Sequence, residues 1–236
     1  MIMSKTLKAV KNTYSFLHGH AFYPMTLASL LGFGMFAARV LKSDTLHFIN
    51  LPWNLFLAWV PYLCSLWVAS IHARHPRRWW ALLVPGALWL LFFPNAPYIV
   101  TDFLHLVPRY GIPIWYDILM LATFAWTGIF LGFASLRAMQ NIAVDYFGAF
   151  FSWLFVAGSL ALGGLGIYLG RFSRWNSWDI LSHPKSILKD IAIRFLDPFS
   201  NKQFYGFTLM VTAFLLVGYL TFTSVQGLNK PHTKRR

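Results

Sequence analysis

The sequence predicts an all-α fold: a polytopic transmembrane helix bundle of about six spans, with short interfacial amphipathic helices. Two observations carry this prediction. Of the 236 residues, 57% are hydrophobic and only 11% are charged, whereas an ordinary soluble domain has roughly 25% charged residues. The apolar residues also occur in long uninterrupted blocks rather than in the periodic stripes of a soluble core. Together these observations exclude a water-soluble domain.

Six apolar blocks are long enough to span a bilayer, which requires about 20 residues to cross roughly 30 Å of hydrocarbon. None of them contains Asp, Lys or Arg. Trp and Tyr residues stand near many of their ends, as expected at the two membrane interfaces. The blocks are residues 21–38, 51–71, 79–101, 118–136, 146–170 and 204–225.

Composition divides the chain into three regions. We expect a basic interfacial segment over residues 1–20, a six-span transmembrane domain over 21–226, and a basic tail over 227–236. In the first region apolar residues recur at helical spacing among lysines, a pattern typical of helices that lie in the membrane plane. Six spans would place both termini on the same side of the membrane.

A second interfacial helix is predicted within the domain, at about residues 184–197. Pro184 suits the first position of a helix, and Leu188, Ile191 and Phe195 form one apolar face. The segment has only about 14 residues, fewer than the roughly 20 that a span needs. We therefore expect it to lie along the membrane surface.

The charge balance is strongly basic, with 20 Lys and Arg residues against 7 acidic ones. The basic residues stand at the edges of the apolar blocks, where anionic lipid headgroups lie. We therefore predict the lipid bilayer and its anionic headgroups as partners and expect no nucleic acid. A membrane-protein partner or a second copy stays open. The single cysteine, Cys64, rules out an internal disulfide.

The third block contains two prolines, Pro94 and Pro97, each of which removes a backbone donor and clashes with the preceding turn. The helix must therefore kink or break at this point. A re-entrant loop is excluded because the residues that follow rise only about 15 Å, too little to retrace roughly 22 Å of preceding helix. We predict a kinked crossing.

After the kink, Asn95, Tyr98, Asp102 and His105 form one polar stripe on an apolar helix. Polar residues at membrane depth usually face the bundle interior or a wet cavity, so these four are candidate ligand-binding residues. In the alternative interpretation Asn95 satisfies backbone groups freed at the kink, and the last two are solvated at the surface. The Asp-x-x-His spacing supplies only two metal ligands, and no metal site is predicted.

A second polar cluster follows the fifth block directly. Its guanidinium groups suit carboxylate or phosphate recognition, although Arg and Trp beside a span are ordinarily interfacial anchors. Its candidate ligand-binding residues are Arg171, Arg174, Trp175, Asn176 and Asp179.

Two spans separate this cluster from the loop that carries Asp102 and Asp117, so both clusters lie on the same side of the membrane. We predict that they meet in one polar site, with Arg171 or Arg174 paired with Asp102 or Asp117. Asp117 is thus a further candidate binding residue. Such a pair would also form if it only locked the loops together.

Glycine pairs in the fourth and fifth blocks predict close helix packing. They are Gly128-x-x-x-Gly132 and Gly166-x-x-x-Gly170. Small residues at this spacing let helix backbones approach closely. We expect these contacts to be made within the chain.

Three segments carry a resemblance to a known family: LFFPNAPYIVTD at residues 91–102, WYD at 115–117 and GRFSRWNSWD at 170–179. They resemble a family of predicted bacterial membrane proteins classed as a domain of unknown function, with similarity from about residue 53 to about residue 225. The resemblance implies a multi-pass protein of the bacterial plasma (inner) membrane. It implies no reaction, ligand or cofactor.

The leading functional hypothesis is a protein that binds an anionic or lipid-like molecule at the polar site, as a transporter component or an accessory protein. An alternative is a membrane enzyme acting on a lipid or lipid-linked group, with Asp102 or Asp179 as base, His105 as acid or base, and Arg171 as anion clamp. General acid–base chemistry would require these groups within hydrogen-bond reach of one substrate. A second alternative is a structural or assembly partner in a membrane complex.

Overall fold

The computed structural model describes residues 2–107 and 111–228, and side chains over 11–107 and 111–225. Within these residues the chain is helical and has no strand. The α-helices are α1 Ile2–Gly19, α2 Phe22–Ser43, α3 Asn50–Arg74, α4 Leu83–Phe92, α5 Asn95–Tyr98, α6 Ile114–Arg171, α7 Asp179–Ser182, α8 Pro184–Leu196 and α9 Lys202–Leu228. Two 3₁₀ helices, Trp79–Leu82 and Ile99–His105, flank α4 and α5.

Five helical segments in the described part of the chain are long and apolar enough to cross a membrane. They are Phe22–Ser43, Asn50–Arg74, Trp79–His105, Ile114–Arg171 and Lys202–Val225. The predicted all-α bundle is thereby confirmed, and the chain is a helical membrane protein.

The longest helix, α6, contains two of the six predicted blocks. Its 58 residues would extend about 87 Å as a straight helix, nearly three times the thickness of the hydrocarbon core. Gly148 interrupts it with a φ of 79° and a ψ of 174°. Gly132 contacts Ala96 and Gly163 contacts Phe93, so residues far apart on α6 lie against neighbouring residues of one segment. The chain therefore reverses at Gly148, and α6 is a hairpin of two helices.

This reversal agrees with six apolar helical stretches, because each half of α6 (residues 114–147 and 149–171) is long enough to cross by itself. The number of membrane crossings stays a prediction. The predicted fifth block begins at residue 146, two residues before the observed break. Glycine is favoured at the break because residues with a Cβ atom rarely adopt a φ in this region.

The third segment is interrupted at its two prolines, as predicted. Its pieces are the first 3₁₀ helix, α4, α5 and the second 3₁₀ helix. Backbone angles stay helical at Phe93 (φ −52°, ψ −40°) and at Pro94 (φ −60°, ψ −25°). The chain consequently continues in one direction and does not turn back.

This interrupted segment packs between the two halves of α6. Gly128 and Gly132 of the first half face Ala96, while Gly166 and Gly170 of the second half face Pro94 and Tyr98. The predicted intramolecular role of both glycine pairs is confirmed. Without side chains at these positions, the residues around Pro94 come within van der Waals contact of both helices.

The last turns of α1 and the end of α3 line one open pocket. The Tyr62 hydroxyl donates to the carbonyl oxygen of His20 (2.8 Å), so the start of α2 lies beside the middle of α3 and leaves its last turns uncovered by α2. Residues 12–17 of α1 lie beside residues 70–74 of α3. The predicted lysines of the N-terminal segment, Lys5 and Lys8, and the basic tail 227–236 lie outside the described side chains.

Helix α8 coincides with the second predicted interfacial helix. The expected apolar face is divided: Ile191 packs on Tyr168 and Phe204, while Leu188 and Phe195 are exposed. A neighbouring position, Ile187, is buried instead. The helix is therefore docked on the bundle along one side and presents apolar residues along another. Its placement at the membrane surface stays a prediction.

Candidate functional site

The predicted polar site forms around a buried carboxylate at one end of the bundle. Asp102 lies in the second 3₁₀ helix and is only 1% exposed. Arg171, the last residue of α6, pairs with it: Nη2 lies 2.9 Å from Oδ1 of Asp102. The expected meeting of the two polar clusters is thereby confirmed, with Arg171 rather than Arg174 as the partner.

The other nitrogen atoms of the Arg171 guanidinium also make contacts. Nε and Nη2 donate to Thr101 Oγ1 at 3.0 and 2.6 Å. Nη1 lies 2.8 Å from Nε2 of His105, which must accept because a guanidinium only donates. The guanidinium also stacks over the Tyr98 ring, 5.0 Å from its centroid. Arg171 thus joins the end of α6 to one face of the third segment.

Asn54 completes the coordination of Asp102. Its side-chain nitrogen donates to Oδ2 at 2.8 Å, so both carboxylate oxygens accept a hydrogen bond. Asn54 was not among the predicted residues. Its position in the first turns of α3 was the available signal, because two predicted crossings separate it from Asp102 and four separate it from the loop after α6, and an even number places all three at the same end.

The second predicted acid, Asp117, belongs to a different pair. Arg39 of α2 binds it through two contacts, Nε to Oδ1 at 2.7 Å and Nη2 to Oδ2 at 3.2 Å. Both side chains are almost fully buried, and the guanidinium also stacks over Phe48. Asp117 therefore ties the start of α6 to the end of α2 and does not join the Arg171 cluster.

A cavity of about 180 Å³ lies next to the Asp102–Arg171 pair. Its polar wall includes Asn54, Asn95 and Ser177. Asn95 Nδ2 donates to Ser177 Oγ at 2.9 Å and to the carbonyl oxygen of Phe92 at 3.0 Å. The second bond satisfies a backbone group at the kink, as the alternative interpretation of Asn95 expected. Its aromatic wall consists of Trp53, Tyr98, Trp175 and Trp178.

The loop after α6 closes this cavity and is itself internally bonded. Asp179 Oδ2 accepts from the backbone nitrogen of Asn176 at 2.7 Å and from its side chain at 3.2 Å. Asp179 therefore stabilises a turn and does not line the cavity. Arg174 is exposed, has a positive φ of 59° and does not line the cavity.

A third ionic cluster fixes α8 against this loop. Trp175 Nε1 donates to Asp190 Oδ2 at 3.0 Å, and Arg194 also pairs with Asp190. Burial raises the pKa of the Asp190 carboxyl. Hydrogen bonds from Arg194, Trp175 and Ser173 outweigh burial, so the pKa lies below its ordinary value. The loop, the cavity wall and α8 are thus held together by one carboxylate.

The ten predicted binding residues fall into three groups. Four line the cavity: Asn95, Tyr98, Trp175 and Asn176. Three form or contact the buried pair: Asp102, His105 and Arg171. Three lie elsewhere: Asp117, Arg174 and Asp179. Among the described residues no three His, Cys or Asp side chains come together as metal ligands would.

Comparison with known families places this geometry in context. Residues 53–217 match the profile of a family described as proteins of unknown function, DUF1361. The chain belongs to the DUF1361 family. The match covers the whole cavity wall and the Asp102–Arg171 pair, and it ends within α9. No curated protein and no solved structure matches the chain.

Proposed function

We propose that this DUF1361 protein binds the polar headgroup of a lipid-like molecule in the cavity between the third segment, the end of α6 and α8. The observation that carries the proposal is the cavity itself, which combines amide and hydroxyl groups with three tryptophans at one end of an apolar helix bundle. Aromatic rings and polar groups together suit an amphiphile that enters from the bilayer.

The size of the cavity favours a headgroup over a whole lipid. Its volume of about 180 Å³ equals roughly six water molecules at their liquid volume. Pockets that enclose drug-sized ligands are larger, at about 300–1,000 Å³. The rim includes Trp178 and Ile180, which are both largely exposed, so acyl chains would remain outside among the lipids.

The charges around the cavity favour a headgroup without net charge. Within the described residues, no Lys or Arg side chain lines it. The nearest guanidinium, that of Arg171, already binds Asp102, Thr101 and His105. An anionic headgroup would therefore meet no counter-charge on the cavity wall, whereas an uncharged or zwitterionic one would bond to Asn95 and Ser177 without disturbing these contacts.

In this proposal the Asp102–Arg171 pair is a structural lock that holds the cavity walls in place. The contacts of the candidate catalytic groups favour ligand binding over catalysis. Asp102 accepts hydrogen bonds from Asn54 and Arg171, and Asp179 closes a turn. His105 contacts Arg171 on its exposed side. The role as a transporter component or an accessory protein in a bacterial plasma membrane belongs to the same proposal.

Lipid retention by the purified protein tests the proposal. The full chain would be reconstituted in vesicles of phosphatidylethanolamine, phosphatidylglycerol and glucosyl diacylglycerol in equal parts, then extracted and examined by native mass spectrometry. We expect one retained lipid with an uncharged or zwitterionic headgroup. Ser177→Ala should lower its retention about fivefold, as one lost hydrogen bond of about 1 kcal/mol implies.

The matched control is Ser182→Ala, which removes an exposed hydroxyl in α7 outside the cavity and should leave retention unchanged. Asn95→Leu should lower retention further because it removes the acceptor oxygen of the amide together with the hydrogen bond that positions Ser177. Equal retention of all three lipids, or retention insensitive to Ser177 and Asn95, would reject the proposal. If phosphatidylglycerol is the lipid retained and its retention depends on Ser177, the cavity binds an anionic headgroup, and the proposed uncharged or zwitterionic class is wrong.

A further inference from the structure

A larger apolar groove extends along α4 from the end of the bundle where α6 reverses. Its volume is about 840 Å³, and its walls come from α4 and from the first half of α6 near Met139 and Phe147. Gly86 lies in its wall, where an added Cβ would meet only Met139 Cε at 4.0 Å. The groove is therefore open space lined by side chains that carry almost no polar groups.

The two sites share no lining residue, although their walls meet on α4, where Leu90 lines the groove and Leu91 lines the cavity. Asn54 touches the cavity and Val68 touches the groove, and the 14 residues between them correspond to about 21 Å of helix. The end of the groove near Val68 and Tyr146 is therefore distant from the proposed headgroup cavity, and it lies where α6 reverses.

A basic loop is fixed at one edge of the groove. Tyr146, which lines the groove, donates from its hydroxyl to the carbonyl oxygen of Pro76 at 2.6 Å. Arg77 and Arg78 follow Pro76 directly, and the next residue, Trp79, lines the groove again. The two arginines are therefore held between two groove-lining aromatic residues, and both are exposed.

One histidine, His72, contacts Tyr146 as well and reinforces the attachment of this loop. His72 Nδ1 lies 3.2 Å from the Tyr146 hydroxyl, and its Nε2 lies 3.0 Å from Oδ2 of Asp145. Asp145 directly precedes Tyr146 in the chain, and its carboxylate is engaged by His72. The charge excess at the groove edge is thus positive.

We infer that this groove binds one acyl chain of an anionic phospholipid from the surrounding bilayer, with Arg77 and Arg78 on its phosphate. The apolar walls suit the chain, and an acyl chain needs no hydrogen-bond partner there. The arginines complement the negative headgroup, and each basic residue near an anionic surface contributes on the order of a fivefold gain in binding. Trp79 and Tyr146 lie between chain and headgroup, where amphipathic rings are favoured.

Photo-crosslinking from within the bilayer tests this inference. The full chain would be reconstituted in phosphatidylcholine vesicles that contain a trace of phosphatidylglycerol with a photoreactive acyl chain, and labelled peptides would be mapped by mass spectrometry. We expect residues 83–90 and 139–147 to be labelled on the order of tenfold more than with the matched phosphatidylcholine probe.

Two kinds of variant separate the headgroup from the chain. Arg77→Gln with Arg78→Gln should reduce phosphatidylglycerol labelling to the phosphatidylcholine level, while the control Lys185→Gln with Lys189→Gln on α8 should not. Gly86→Phe should fill the groove and abolish labelling with both probes, while Gly34→Phe, on an open face of α2, should not. Ala87→Phe serves as a second filling variant if Gly86→Phe does not fold.

Three results would overturn the inference. The first is equal labelling by both probes in the unaltered protein. The second is labelling that persists in both groove-filling variants. The third is a covalent dimer formed when a photoreactive amino acid replaces Ala87 in the same vesicles, which would mean that a second copy of the chain occupies the groove.

Discussion

Two buried ion pairs at the same end of the molecule hold different parts of the bundle. Arg39 and Asp117 make a two-point contact that is closed to solvent. In the other pair, Arg171 divides its donors among a carboxylate, a hydroxyl and an imidazole. The first pair joins α2 to α6, and the second joins α6 to the third segment beside the cavity. Each compensates a charge that would be costly to bury alone.

Asp102→Asn should destabilise the protein strongly. The change leaves the Arg171 guanidinium without its counter-charge in a mostly buried site, and breaking one partner of a buried pair costs about 3–5 kcal/mol. We expect a lower midpoint of thermal unfolding in detergent, together with loss of lipid retention in the cavity.

Asp145→Asn is the matched control, because it removes a carboxylate that is 62% exposed and should change the midpoint little. A stable Asp102→Asn protein that has lost only an activity would instead identify Asp102 as a catalytic base. That result would contradict the lock described above.

Much of the residue-level site could be predicted from spacing. The helical stripe correctly placed Tyr98, Asp102 and His105 on one face, since all three contact the Arg171 guanidinium. The choice of Arg171 over Arg174 could not be predicted, because it depends on where α6 ends. Arg39 was missed although two crossings also separate it from Asp117, and the same parity argument applied to it.

At the scale of elements, the third segment packs closely against α6 because the facing positions of α6 are glycines, which have no side chain. The glycine pairs predicted close approach, but sequence alone did not show which helix would approach them. The partner is the proline-interrupted segment, whose pieces expose backbone and ring atoms to both halves of the hairpin. The proline kink of the third segment and the glycine faces of α6 thus form the two sides of one contact.

Gly166→Ala should be destabilising because the new Cβ would lie 2.6 Å from Cγ of Pro94, an atom held in a rigid ring. Gly128→Ala should be at least as damaging, since its Cβ would clash with the carbonyl oxygen of Ala96. Overpacking of this kind costs about 1–3 kcal/mol, measurable as a lower unfolding midpoint.

The control for these variants is Gly158→Ala, where a Cβ meets nothing within 4 Å. It should be neutral or slightly stabilising, because alanine is preferred over glycine within a helix by up to about 1 kcal/mol. Equal loss of stability in Gly158→Ala and Gly166→Ala would argue against the close contact.

Docking of α8 should depend on pH through Asp190. Its folded pKa is below the ordinary value of 3.8, so the stabilisation is present above that value and is lost as the pH falls through the lowered pKa. A nitroxide at Leu188 should report lipid contact at headgroup depth from neutral pH down to about pH 4, and altered depth and mobility below it.

Asp190→Asn should remove this transition, since the side chain at position 190 can then no longer titrate. Asp44→Asn, at the end of α2, offers a carboxylate control that should preserve it. A label in bulk water or at mid-bilayer depth at neutral pH would contradict the predicted surface position of α8.

At the scale of the whole molecule, the two ends of the bundle differ in kind. One end holds both buried ion pairs, the small cavity and α8. The other holds the reversal at Gly148, the basic loop and the large apolar groove. The sequence predicted six apolar blocks and their order. It could not predict the groove, because that space arises from helices separated by more than 40 residues.

The two ends should lie on opposite sides of the membrane. In a Cys64→Ser background, single cysteines at His75 and Ser182, both exposed positions, should react with an impermeant reagent from opposite sides of sealed vesicles. A third cysteine at Ser43 should react from the same side as Ser182. Labelling of His75 and Ser182 from one side would contradict the arrangement of six crossings.

The long separation of Asp102 from Arg171 also orders events during synthesis. The two are 69 residues apart, and at about 5–20 residues per second the guanidinium follows the carboxylate by roughly 3 to 14 seconds. Asn54, by contrast, has already been made when Asp102 leaves the ribosome. The amide of Asn54 is therefore the first partner available to the carboxyl group, and Arg171 joins a contact that has already begun to form.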